Sequence, residues 1–277
     1  MKTATLALLA LGCTTAAELK HNNANALRPA LKLRGGVGPV EPAMAATVGC
    51  SLFALNGVYC GLAPAPAAAA YGVGQTSFNL EQMIKNLGYT FIGFAILALG
   101  LLKGVPFNKA FGWSNLPWVL LTLENIWNGV TDKMGIPVAG QYLLLAINSF
   151  GLYAGLTDTL MPAAAIGISA WTALNGAFFA LNPGAGASAW GLKDADEKFL
   201  VMMKNFGYAL FGYATLTYLL ATGMDVSSAV GYAFIPNALS IIDGLFVSKG
   251  FLKMGSPPEP GYVWLAIMGA VIASTVV

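Results

Sequence analysis

Eight apolar runs are spaced along the chain, at 42–62, 83–102, 116–130, 138–156, 161–181, 200–222, 230–247 and 261–277. Most approach the ~20 residues that a helix needs to cross a bilayer, and the third run of each set of four lies nearer the lower limit. Charged residues gather between the runs, not periodically within them. A ~10-residue alternation of apolar and polar positions is lacking, so barrel strands are not expected. Backbone facing lipid must satisfy its own hydrogen bonds, which leaves helices. The predicted fold class is all-α integral membrane, with eight transmembrane helices.

The runs fall into two matching sets. "LNG" at Leu55 to Gly57 returns at Leu174 to Gly176, and "KNLGY" at Lys85 to Tyr89 returns as "KNFGY" at Lys204 to Tyr208. Both pairs are 119 residues apart, as are Gly93 and Gly212, or Pro117 and Pro236. After one inserted residue the offset becomes 120, and Lys133 to Gly135 matches Lys253 to Gly255. A repeat of this length sets the architecture before any single residue is read. It divides the chain into a first four-helix repeat at 42–157 and a second at 162–277. Four helices per unit is an even number, so both units cross in the same sense as parallel repeats.

Composition agrees with a membrane protein: 57% of residues are hydrophobic and 9% charged, with a mean hydropathy of +0.68. A soluble domain would carry about a quarter charged residues. The net charge of +2 comes without a basic patch interleaved with aromatics, so nucleic acid is not an expected partner. Residues 1–17 read as a secretory signal peptide, with Lys2 before a short apolar core and small Thr15 and Ala17 before the cut. Residues 18–41 form a basic tail, either lumenal or the second half of a plastid presequence. With the mature N-terminus outside, Lys85, Lys133, Lys193, Lys198, Lys204, Lys249 and Lys253 all fall inside, and only Lys103 and Lys109 outside. That is the sense of the positive-inside rule.

The chemistry available is narrow. The single His and both Arg residues lie in the N-terminal tail, so His-ligated metal, axial-His haem and Ser-His-Asp nucleophiles have no ligand or base in the membrane part. No cofactor or metal is expected. Cys50 and Cys60 share a predicted helix about 15 Å apart by helical rise, too far for a disulfide within it, and read as small packing residues.

Glu124 and Asp243 are the informative residues. They occupy the third helix of each copy, 119 residues apart. An acid inside a span costs about 2.5–3.5 kcal/mol even on a lenient insertion scale, so it faces protein or water. Lys85 and Lys204, each followed by an amide (Asn86 and Asn205), begin the second helices at the same side and are the expected partners. Asn128 stands four residues after Glu124, on its helical face. Lys85, Asn86, Glu124, Asn128, Lys204, Asn205 and Asp243 are therefore the candidates for a solute or ion path. The competing reading is that the acids and lysines only fix helix packing. Asn56-Gly57 and Asn175-Gly176 are expected to interrupt the first helix of each copy. Pro117 and Pro236 are expected to open the third, where proline costs no helical hydrogen bond. Gly88, Gly93, Gly207 and Gly212 permit close helix approach. Trp113, Trp118, Trp127, Trp190 and Trp264 read as interfacial belt residues.

In hydropathy and helix count, the four-helix unit with an acid in its third helix resembles small four-helix membrane families of the DoxX-like kind. The leader, basic tail and "LRGG" resemble precursors of algae with complex plastids. Neither resemblance assigns a role to a residue. The expected function is a carrier or binding protein for a small solute or lipophilic molecule at the interface of the repeats. The alternatives are a non-catalytic structural or assembly subunit of a membrane complex and, third, a membrane-embedded lipid-modifying enzyme. The partners expected are the bilayer, a small-molecule ligand or the other subunits of such a complex. The location is an endomembrane or plasma membrane reached by secretion, or alternatively a plastid membrane. In the second copy Asn128 becomes Val247 and Asn148 becomes Met268, so an active half would be the first.

Overall fold

The computed structural model describes residues 41–192 and 195–276. The predicted leader, the tail up to residue 40, and Lys193 lie outside the described residues. Every regular element within them is helical. The N-terminal half holds α1 (Pro42–Leu62), α2 (Pro64–Ala70), α3 (Phe78–Leu102), α4 (Phe107–Trp127), α5 (Val130–Met134) and α6 (Val138–Leu156). The C-terminal half holds α7 (Pro162–Leu181), α8 (Pro183–Ala189), α9 (Glu197–Ala221), α10 (Val226–Ile242), α11 (Gly250–Met254) and α12 (Glu259–Thr275). A single π turn, Asp243–Val247, extends α10.

Local chemistry sets most boundaries. Ala63 and Asn182 precede prolines and leave the helical region, with φ near −139° and −141°, which separates α1 from α2 and α7 from α8. Ser77, Asp196 and Asp225 cap α3, α9 and α10 by accepting from the backbone N–H three residues on. The offset between matching stretches of sequence changes from 119 to 120 after Asp243. There Ser248 N–H donates to Asp243 O, five residues back, at 2.8 Å. At the matching point of the first half, Asn128 N–H donates to Glu124 O, four residues back, at 2.9 Å. A π turn absorbs an extra residue without rotating the rest of the helix.

Two expectations are corrected. Pro117 and Pro236 do not open their helices but lie inside α4 and α10. The polar stretch before Pro117 is helical because its polar groups turn inward: Ser114 and Asn115 are buried and both donate to the Phe111 carbonyl. Nor do the Asn-Gly pairs break the first helices, for α1 and α7 run through them. A Cβ on Gly57 would stand 2.8 Å from Gly88 O, and one on Gly176 would stand 2.8 Å from Gly207 O. These glycines let backbones touch, as small residues do where lipid supplies no hydrophobic drive between helices.

The packing centres on α3 against α9. α3 also packs on α1 and α4, and α4 on α6; α9 packs on α7 and α10, and α10 on α12. The halves are joined differently on their two sides. α12 packs along α1, whereas α6 and α7 barely meet. One core gathers Phe53, Phe94, Phe111 and Phe234, with the Phe53 and Phe234 rings 4.7 Å apart. A second holds Met83, Phe199, Met203 and Phe206. Among the described residues, four helices are long and apolar enough to cross a membrane: α1, α3, α7, and α10 with its π turn.

Candidate functional site

The starts of α3 and α9 and the ends of α4 and α10 meet at one end of the bundle. Lys85 Nζ donates to Glu124 Oε1 there, and Lys204 Nζ lies 2.8 Å from Asp243 Oδ2. Asp243 Oδ2 also accepts from Ser248 Oγ at 2.9 Å. All four charged side chains are part-buried, Lys85 at 13% exposed and Glu124 at 28%. Each charge has its counter-charge at contact distance, which offsets the cost of leaving water. A third pair, Lys253 with Glu197 at 3.0 Å, is solvent-exposed and contributes about 0–1 kcal/mol.

None of the four part-buried charges lines either of the two cavities between the halves. The larger cavity, about 250 Å³, lies between α4 and α6 of the first half and α7 and α9 of the second. Its wall carries amides and hydroxyls: Asn115, Thr122 and Asn125 from α4, Asn148 from α6, and Thr172 and Asn175 from α7. Apolar contact comes from Trp118, Ile147, Phe206 and Leu210, among others. Leu143 and Trp171 line it and are 51% and 42% exposed, so its mouth opens between α6 and α7.

Several polar side chains around this cavity bond back to their own helices. Asn115, Asn148 and Asn175 each donate a side-chain N–H to the carbonyl four residues back, at 2.7, 2.7 and 2.8 Å. The Thr122 and Thr172 hydroxyls do the same, at 2.7 and 2.9 Å. Such back-bonding uses one of the two N–H groups of each amide and the only hydrogen of each hydroxyl. Asn125, 6% exposed, goes further: its Oδ1 is buried without any partner. The Tyr213 hydroxyl pairs with Ser114 Oγ at 2.8 Å. Among the described residues, no group of three His, Cys, Asp or Glu could hold a metal ion.

A smaller cavity, about 120 Å³, lies across the bundle between α1, α3, α9, α10 and α12. Several of its polar groups bond one another. Tyr71 OH donates to Asn56 Oδ1 at 2.7 Å and accepts from Trp264 Nε1 at 3.1 Å, while Ser240 Oγ donates to Asn205 Oδ1 at 2.9 Å. Burial pushes the Tyr71 phenol up to about 12, so it stays neutral as donor. Phe53, Trp264 and Met268 line this space, at chain offsets of 119 or 120 from Thr172, Leu144 and Asn148 of the larger one.

The residues singled out from sequence therefore separate. Lys85 meets Glu124, and Lys204 meets Asp243. Asn86 lines the larger cavity and Asn205 the smaller. Asn128 is the exposed C-cap of α4 and lines neither. Trp113 and Trp127 face outward, as expected of belt residues, but Trp118, Trp190 and Trp264 line cavities and do not. Asn115, Asn125, Thr172 and Tyr213 were missed. A search for polar positions shared by both copies passes over them, because residues 119 along from Asn115 and Asn125 are Phe234 and Gly244. The available signal was amides inside apolar runs, present in one copy and absent from the other.

Against known protein families, curated proteins and solved structures, the chain matches none.

Proposed function

We propose that this protein is a multi-pass membrane protein that binds a small lipophilic molecule in the larger cavity, as carrier or binding protein. In this reading eight helices cross the bilayer as two parallel four-helix repeats, with Lys85, Lys133, Lys204 and Lys253 at the inner end. The Lys–acid pair recurring at the same offset in each half supports the repeat, as does the π turn that sits where the offset changes. The observation that carries the binding reading is the contrast between the two cavities. The smaller has about half the volume, is bounded by α12, and is crossed by hydrogen bonds among Tyr71, Asn56 and Trp264. The larger has a mouth on the lipid-facing side and mixed apolar and polar walls. Sites for small molecules have that make-up, largely apolar with a few fixed polar groups. The paired acids lie outside both cavities and serve as packing pairs in this scheme, not as proton carriers.

Asn148→Met gives the larger cavity the residue that stands at 268, beside the smaller one. Binding is read as saturable quenching of tryptophan fluorescence by a terminally brominated undecanol, with the full chain reconstituted in lipid nanodiscs. Trp118, Trp171 and Trp190 line the cavity and report on it. The substituted protein is expected to melt as the parent does and to bind at least ten times more weakly. Quenching that never saturates, and is the same in both proteins, would sink the reading.

A further inference from the structure

Aromatic rings fill the two sides of the molecule differently. Phe53 of α1 stands at the centre of a ring cluster beside the smaller cavity. Its ring centre lies 4.5 Å from that of Phe91, 5.5 Å from Phe94, 4.7 Å from Phe234 and 5.8 Å from Trp264. Offsets of 119 or 120 residues relate these five positions to Thr172, Leu210, Tyr213, Asn115 and Leu144. All five counterparts line the larger cavity, and of them only Tyr213 carries a ring.

Along this wall, smaller aliphatic, hydroxyl and amide side chains thus stand where the other side of the molecule carries four packed rings. Resting on the binding reading above, we infer that the larger cavity takes a ligand whose apolar body is a fused ring system, with Thr172 and Leu144 determining the room for it. The ring body lies at mid-helix, since Thr172 stands near the middle of α7 (Pro162–Leu181).

Helix approach does not make up for the smaller side chains. α6 and α7 barely meet, and a Cβ added at Gly140 or Gly167 would find nothing within 4 Å. Protein interiors pack at the density of organic crystals, and wall atoms facing a gap lose their dispersion contacts. A single flexible chain covers little of such a wall and must give up many torsions on binding. A rigid ring body meets more of the wall and gives up few. Further along α7, Phe179 and Phe206 stack with ring centres 6.0 Å apart, and Trp118 lies 6.1 Å from Phe206. These three rings also line the cavity, and aromatic faces favour the C–H edges of a ligand's rings.

Two hydrocarbons of equal carbon number, perhydrophenanthrene and tetradecane, separate the outcomes as competitors in the same quenching measurement. Neither absorbs in the tryptophan range, so each is read by its displacement of the brominated undecanol. At equal mole fraction in the nanodisc lipid, the fused-ring compound is expected to displace the probe about ten times more effectively, a scale that discrimination by shape in an apolar pocket reaches. Tetradecane displacing the probe as well or better, or neither displacing it, would overturn the ring inference and leave the binding reading intact. A probe that never saturates would remove both. Thr172→Phe places a ring at the counterpart of Phe53, and Leu144→Trp places one, from α6, at the counterpart of Trp264. In each variant that melts as the parent does, the fused-ring compound's advantage is expected to shrink several-fold. An undiminished advantage would take the ring body out of this space.

Discussion

Each acid of the two part-buried pairs in this bundle is held by one lysine. Glu124 and Asp243 differ by one methylene, yet each reaches a lysine from the neighbouring helix. Removing one partner leaves an ion in a poor dielectric, whereas removing both leaves none. Glu124→Gln is therefore expected to destabilise the reconstituted protein by about 1–3 kcal/mol, and adding Lys85→Met should restore much of it. Thermal unfolding of the singles and the double decides this; additive losses would mean that the pair is not coupled. These pairs were legible in the sequence because a charge inside an apolar run stands out and must be explained. The cavity amides were not. Asn115 and Asn148 are ordinary polar residues on paper, and only the placement of α6 and α7 turns them toward a common space.

Helices met their predicted ends where a local rule governs, and departed where packing governs. The 42–62 and 138–156 runs became α1 and α6 unchanged, while the 116–130 run became α4, which starts at Phe107. Hydropathy stopped at the polar stretch, but the helix continued because Ser114 and Asn115 found partners inside the bundle. Glycine placement shows the same dependence. A Cβ on Gly88 would stand 2.7 Å from Gly57 O, so α1 and α3 would have to move apart. Gly88→Ala is expected to cost about 1–3 kcal/mol by overpacking. Gly167→Ala, with nothing within 4 Å of its Cβ, should instead stabilise by up to about 1 kcal/mol, the helical preference of alanine. Melting temperatures of the two variants are compared; equal shifts would refute the close-approach account.

The molecule as a whole is tied on one side and open on the other. Tyr71, between α2 and α3, is held by Trp264 of α12 through its hydroxyl, and by Ser256 through its carbonyl. These residues lie 193 and 185 positions away along the chain. Burial raises the phenol from 10.0 to about 12. Below pH 10 the group is neutral whether the chain is folded or not, and the tie is at full strength. Between pH 10 and about 12 the unfolded chain ionises first, so stability falls as pH rises through that window. Tyr71→Phe removes the hydroxyl's bonds, so it is expected to lower stability at pH 6–9 and to flatten the fall between pH 10 and about 12. A slope that persists in the variant would assign it to another group. No equivalent tie joins α6 to α7 among the described residues, and the larger cavity has its mouth there. Sequence alone determined that the chain is helical and rich in membrane-length segments, and which charges would pair, because hydropathy, proline chemistry and charge burial act over a few residues. Which of the two inter-half spaces would be tied across by hydrogen bonds and which would not was decided only in three dimensions. It depends on how α12 meets α1 and α6 fails to meet α7, contacts between segments far apart along the chain.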